Sequence, residues 1–270
     1  MPSVDLYDGA YGKYDLYSEI RLETYGEDLG QTSWVTTEES YEIPRLLELT
    51  RSSVVLELGC GSGRYGLRVA EQVGCRITGV DVNSNGIRNA NELAQRNELD
   101  SLVRFEQCDI SKKQAFGDGT FDAVFANDVL CHIPGRAGVV EEIFRILKPG
   151  GRFLFSDALV IGGVVSHEEI ATRSSVGYYL FSPPGENERF IKAAGFRLVS
   201  VNDTTAKAAQ IAGRWHDARE RRKDDLIVAE GQSNFEGLQR FLSCVEKLTC
   251  ERRLLRYLYL AERTTSISRQ

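Results

Sequence analysis

Short apolar runs alternate with amphipathic segments through the middle of the chain. Val54–Leu58 (VVLEL) is a continuous β-branched and leucine run closed by glycine, as in a strand buried on both faces. Gly63–Val73 predicts a helix, and Arg76–Val82 (RITGVDV) a second strand. Ser84 stands as a helix cap before a helix over Ile87–Asn97. Leu102–Cys108 alternates as a third strand, and Phe121–Ala126 is a fourth that ends in polar Asn127-Asp128. A helix over Gly138–Leu147 stops at Lys148-Pro149-Gly150-Gly151, and Phe153–Ser156 is the fifth strand. Strands alternating with helices in this way build βαβ units. They predict an α/β fold with a doubly wound, mostly parallel, Rossmann-like sheet covered on both faces.

The alternation breaks at Ala158–Glu186, which carries Gly162-Gly163, Tyr178, Tyr179, Phe181 and Pro183-Pro184 and reads as a cap or loop insertion. Glu188–Ala194 predicts a short helix, Arg197–Val201 a sixth strand, and Thr205–Lys247 a largely helical stretch with Arg219–Asp225 as a solvated charged face. Leu254–Ala261 (LLRYLYLA) completes a seven-stranded sheet, and Thr264–Gln270 is expected to fray. Met1–Thr50 reads as a helical extension. The expected organisation is a helical lid over 1–50, an α/β core over 51–159, a cap over 160–186, and completion of the core with helical elaboration over 187–270.

Composition then narrows the classes. With 42% hydrophobic and 27% charged residues the chain is ordinary globular protein. A net charge of -6 argues against a nucleic-acid footprint, which needs a basic face, and against an electrostatic membrane anchor. No apolar run approaches the ~20 residues of a membrane span, and Met1–Ala10 is polar and acidic rather than signal-like. The six cysteines form no CxxC and no zinc spacing, so a reduced, interior set and no metal are expected. The expected setting is cytoplasmic, as a monomer or homodimer acting on a small molecule.

The candidate chemistry begins where the first strand ends, at Glu57-Leu58-Gly59-Cys60-Gly61-Ser62-Gly63. Glycine permits positive φ and close backbone approach, and the helix start that follows offers unpaired N–H groups. Asp81 ends the second strand, where a carboxylate can accept both hydroxyls of a ribose. Gly61-Ser62-Gly63-Arg64-Tyr65-Gly66 also satisfies the dinucleotide pattern G-x-G-x-x-G, so the loop alone fits two nucleoside ligands.

The loop E-L-G-C-G-S-G together with Asp81 resembles the first two motifs of class I S-adenosylmethionine methyltransferases. Cys108-Asp109-Ile110, Phe121-Asp122-Ala123-Val124 and Leu147-Lys148-Pro149-Gly150-Gly151 agree with that family's later motifs. The resemblance spans about Ser52–Asp157 and continues more loosely through Ala194-Gly195-Phe196. It implies S-adenosylmethionine as cofactor, with Gly59, Cys60, Gly61 and Gly63 bending round its methionine–ribose part and Glu57 supporting the loop. It implies Asp81 on the ribose, with Val82, Asp109 and Ile110 about the adenine and Asn127 beside the cofactor.

Asn127-Asp128-Val129-Leu130-Cys131-His132 follows the fourth strand, where that family opens its substrate pocket. Asp128 and His132 are spaced for one face of a helical turn, so the aspartate is expected to orient the histidine as a base. D-x-x-x-H at this place resembles phosphoethanolamine and sarcosine/dimethylglycine methyltransferases. In the same enzymes a comparable N-terminal segment closes the pocket, which implies Gln31, Ser33 and Trp34 near the cofactor. Tyr11, Tyr14 and Tyr17 are spaced as a helical stripe. Tyr14, Tyr17 and Tyr178 are candidate pocket walls, and His167 and His216 candidate substrate contacts. The expected reaction is direct in-line methyl transfer to a small-molecule acceptor, an amine first, with hydroxyl or carbon open. The alternatives are a methyltransferase-like binding protein without turnover and an NAD(P)-dependent oxidoreductase, for which no Tyr-x-x-x-Lys pair is found.

Overall fold

The computed structural model describes residues 3–112 and 116–264. Helices α1 (Tyr7–Gly12), α2 (Tyr14–Tyr25) and α3 (Thr37–Leu46) precede the core. The core follows as β1 (Val54–Leu58), α4 (Arg64–Val73), β2 (Arg76–Asp81), α5 (Ser84–Arg96), β3 (Val103–Gln107), β4 (Phe121–Ala126), α6 (Arg136–Ile146) and β5 (Leu147–Ile161). After it come α7 (His167–Arg173), α8 (Glu186–Ala193), β6 (Phe196–Asp203), α9 (Thr205–Arg221), α10 (Lys223–Glu230), α11 (Gln232–Cys250) and β7 (Leu254–Arg263). No described helix is long and apolar enough to cross a membrane.

The seven strands form one sheet in the order β3-β2-β1-β4-β5-β7-β6. All run parallel except β7, which lies antiparallel between β5 and β6. This is the expected doubly wound sheet. Adjacent residues of β1 feed opposite faces. Val55 joins a cluster with α3, α4 and α5, and Leu56 a cluster with α6 and α8. A third cluster around Trp34, Trp215 and Phe241 binds α2 to α9, α10 and α11. The chain order reverses between β1 and β4, and the carboxyl ends of those strands open the crevice where such sheets bind ligands.

Local chemistry moved several boundaries. Asn83, not Ser84, caps α5, accepting from the Gly86 N–H at 3.0 Å. Lys148-Pro149-Gly150-Gly151 does not end an element. It is an irregularity inside β5, where Gly150 sits at φ 80° and the register to β4 shifts. β5 runs on to Ile161 because β7 continues the ladder, Ile161 opposite Leu254. The tyrosine stripe is broken, since Lys13 leaves helical geometry between α1 and α2. Arg219, expected on a solvated face, is buried and paired with Glu230. Cys60, Cys75 and Cys131 are buried, but Cys250 is exposed rather than interior. Of the tail expected to fray, 265–270 lies outside the described residues.

Two buried arginines, Arg136 and Arg256, fasten outlying pieces. Arg136 donates to Asp157 Oδ2 at 2.6 Å and to Ser182 Oγ and Asn187 Oδ1 at 2.8 Å, pinning the cap to the end of β5. Arg256 of β7 is 0% exposed. Its Nε lies 3.0 Å from Asp128 Oδ1, and its Nη1 3.1 Å from Glu39 Oε1 and 2.7 Å from Thr204 Oγ1; Nη2 has no partner among the described residues. Glu39 also closes the capping box of α3 with Thr36, and Asp128 accepts the Trp34 N–H at 2.9 Å. Removing the cation would strand two buried carboxylates. We expect Arg256→Met to cost about 3–5 kcal/mol of stability, read as a lowered urea midpoint. An unchanged midpoint would mean that the pairing contributes nothing net.

Candidate active site

The glycine loop leaves β1 with Gly59 and Gly61 at φ 64° and 52°, and Gly63 starts α4 at φ 75°. The demand for glycine is sharpest at Gly61. Its N–H donates to Asp81 Oδ2 at 2.8 Å, and a Cβ there would collide with the Tyr11 hydroxyl. At Gly59 a Cβ would strike Val129. The loop is therefore clamped between the N-terminal extension and the turn after β4.

Asp81 also accepts the Asn83 N–H at 2.8 Å on Oδ1. Burial raises its carboxyl above the usual range, and the backbone N–H groups oppose that rise. Glu57 lies beneath the loop, fully buried, and its Oε2 has no hydrogen-bond partner among the described residues. Desolvation pushes its carboxyl well above the ordinary value, against the Gly66 N–H.

A cleft of about 450 Å³ opens over these strand ends. One end is lined by Asp81, Val82, Asn83, Asp109 and Ile110. The other is lined by Tyr7, Asn127, Asp128, Val129, His132 and Ile133, and Tyr11, Thr32, Ser33 and Gly59 wall the middle. Asn127 Nδ2 is buried without a hydrogen-bond partner among the described residues. A second cavity of about 310 Å³, between Gly135–Gly138 and Leu180–Pro183, holds none of the expected site residues.

His132 ends a single 3-10 turn, Leu130–His132. Its Nδ1 is 3.1 Å from the Tyr178 carbonyl oxygen, which can only accept. In the neutral ring the proton is thus on Nδ1, and Nε2 accepts from the Tyr7 hydroxyl at 3.3 Å. Tyr7 in turn meets the Tyr179 hydroxyl at 3.2 Å, and the Tyr179 ring lies 4.5 Å from the imidazole. Burial and the neighbouring Tyr179 hold the Tyr7 phenol well above its usual pKa, so it stays protonated.

The expected Asp128–His132 pair does not form. Asp128 sits at φ 57° ahead of the 3-10 turn, and its carboxylate is turned to Arg256 and the Trp34 N–H. Gln31 closes its own turn, with Oε1 on the Leu29 N–H at 2.8 Å, and does not reach the cleft. Trp34 packs on Trp215 and Phe241 instead. Cys60 is buried in the core with its side chain off the cleft. Tyr14 stacks under Arg21 at 4.3 Å and Tyr17 bonds Glu230, so neither is a pocket wall. Tyr178 points outward, 53% exposed, and offers only its carbonyl. His167 starts α7 and His216 pairs with Asp217 at 3.3 Å, both outside the cleft. Ser33, Gly59, Asp81, Val82, Asp109, Ile110, Asn127 and His132 do line it. Sequence reasoning missed Tyr7, Tyr11, Thr32 and Tyr179. Tyr7 and Tyr11, four apart on α1, were the available signal.

Residues 49–175 match the family model described as a methyltransferase domain. Over 233 residues the chain is 25% identical to the 27-O-demethylrifamycin SV methyltransferase of Amycolatopsis mediterranei, covering 80% of this chain and 85% of that protein. It is 29% identical over 226 residues to phosphoethanolamine N-methyltransferase 1 of Zea mays, covering 84% of this chain and 44% of the maize protein. Thus it spans less than half the length of that relative. The fold is similar to that of Haemonchus contortus phosphoethanolamine N-methyltransferase 2 in complex with phosphomonomethylethanolamine and S-adenosylhomocysteine. The TM-score is 0.81 at 22% identity, over 96% of this chain and 60% of that one.

The histidine tautomer is directly measurable. In ¹⁵N-labelled protein above the imidazole's titration, His132 should show a protonated Nδ1 and an unprotonated Nε2, and Tyr7→Phe should move Nε2 alone. A protonated Nε2 would reverse the direction of this hydrogen-bond chain.

Proposed function

The chain belongs to the S-adenosylmethionine-dependent methyltransferases, and from that premise we propose that it methylates a small-molecule acceptor bound against Tyr7 and His132. The observation that carries this reading is one cleft with a ribose-type carboxylate at one end and a tyrosine–histidine proton acceptor at the other.

The residues fit S-adenosylmethionine. The cleft lies within the usual range for ligand pockets. Asp81 keeps lone pairs for ribose hydroxyls, Val82 and Ile110 offer apolar faces to the adenine, and the orphaned Asn127 Nδ2 awaits an acceptor atom at the methionine end. Asp109, hydrogen-bonded to Ser111 at 2.6 Å, stands at the adenine rim. Glu57 and the Gly61–Gly63 turn act through the shape of the loop. When bound, the cofactor supplies a methyl group activated on a sulfonium.

The chain's own task is to place the acceptor and take its proton. An amine or hydroxyl nucleophile loses a proton as its bond to methyl forms and the sulfur–methyl bond breaks. Tyr7 is set to pass that proton to His132 Nε2, while the Tyr178 carbonyl stabilises the imidazolium through Nδ1. Tyr11 and Thr32, joined at 3.2 Å, roof the middle of the cleft and exclude water. The two relatives are named for an oxygen and a nitrogen acceptor, and either nucleophile is in keeping with them. The acidic net charge supports a metabolite over nucleic acid.

Two variants separate the ends of the cleft. Asp81→Ala should lose most affinity for S-adenosylmethionine in calorimetry while keeping the far-ultraviolet circular dichroism. His132→Ala should bind the cofactor nearly normally yet transfer methyl ~10²–10⁴-fold more slowly in single turnovers. Unchanged affinity in the first would remove Asp81 from the ligand. Wild-type rates in the second would remove His132 from proton transfer.

A further inference from the structure

The charges around the acceptor end of the cleft are already matched. Among the described residues lining the cleft there is no lysine or arginine, and its carboxylates are Asp81, Asp109 and Asp128. Asp81 and Asp109 stand at the nucleoside end. Asp128 stands at the acceptor end, but Arg256 Nε lies 3.0 Å from Oδ1 and the Trp34 N–H 2.9 Å from Oδ2. Another buried cation beyond the wall is Arg173, 1% exposed. Its guanidinium is covered by Tyr179 at 4.4 Å, Phe241 at 4.9 Å and Trp34 at 5.7 Å. It does not line the cleft, although its Nη1 has no hydrogen-bond partner among the described residues. What remains for an acceptor is Val129, Ile133 and Pro134 with the Tyr7–His132 pair.

Each charged class of acceptor meets an obstacle here. A phosphate monoester carries about -1.5 to -2 charges and is ordinarily held by arginine or lysine donors. Stripped of water against valine, isoleucine and proline, it would lie in this cleft unpaired, at a cost of several kcal/mol. An ammonium needs a carboxylate or an open aromatic face. Asp128 is committed, and Tyr179 carries His132 near its ring at 4.5 Å and Arg173 at 4.4 Å.

We propose that the acceptor is electroneutral, with an apolar body and one hydroxyl or uncharged amine directed at Tyr7 and His132. This rests on the methyltransferase reading above and narrows it. It also parts this site from the Haemonchus protein, whose bound phosphomonomethylethanolamine carries a phosphate.

The test uses the full chain saturated with S-adenosylhomocysteine and three probes sharing one body: benzyl alcohol, benzyl phosphate and benzylammonium. Binding is followed by the His132 ring resonances, with His167 and His216 as the two other histidines in the chain. Benzyl alcohol is expected to shift His132 with an affinity at least tenfold above either charged probe. Ile133→Arg is expected to raise benzyl phosphate affinity at least tenfold, because it adds the missing cation. Equal or tighter binding of benzyl phosphate or benzylammonium to the wild type, or no binding of the alcohol, overturns the proposal. Failure of S-adenosylhomocysteine itself to bind defeats the methyltransferase reading instead, so the two failures are distinguishable.

Discussion

One buried cation organises the functional half of this molecule. Arg256 enters from β7, the antiparallel strand, and lies wholly out of water. Burying a guanidinium is costly, and carboxylates in contact offset that cost. Here they come from α3, through Glu39, and from the turn after β4, through Asp128. Satisfying one charge thereby fixes the N-terminal extension against the sheet, sets Asp128 in left-handed geometry, and directs the chain into the 3-10 turn that carries His132. The same commitment removes Asp128 from the acceptor, so the electrostatics of the site follow from the packing of a strand far from it in sequence.

The N-terminal helices then finish what the sheet begins. β1, β2 and β4 deliver the glycine loop, Asp81 and Asn127 to one crevice, as their parallel order requires. That crevice becomes a cleft because α1 lies across it. The α1 segment is held to α5 by Asn83 Nδ2 on Asp8 at 2.6 Å and by Asn89 Nδ2 on the Tyr11 carbonyl at 2.9 Å. Leu6 and Ala10 anchor the same segment in the apolar cluster around Trp215. Tyr7 and Tyr11, one turn apart, set one hydroxyl against His132 Nε2 and the other over Gly61.

What was legible in the sequence follows the range of the interactions. The sheet, the glycine loop, Asp81, Ile110 and His132 were readable because each depends on spacing within a single βα unit. The pairing of Asp128 with His132 failed because spacing presumed a helix, whereas a charge contributed by residue 256 turned the aspartate away. Tyr14 and Tyr17 failed as pocket walls because Lys13 breaks the stripe and Arg21 and Glu230 claim them. Gln31 and Trp34 lay in the right segment, but a local turn and the aromatic cluster with Trp215 used their side chains. No periodicity reports a partner more than a hundred residues away.

The central claim is that this cleft moves a methyl group from S-adenosylmethionine to a small, uncharged acceptor. The direct measurement is incubation of the whole protein with methyl-labelled S-adenosylmethionine and a panel of metabolites containing neutral, cationic and phosphorylated alcohols and amines. The account predicts label in uncharged members, with S-adenosylhomocysteine formed in equal amount. Label confined to phosphorylated or cationic members, or none at all with the cofactor demonstrably bound, would contradict it.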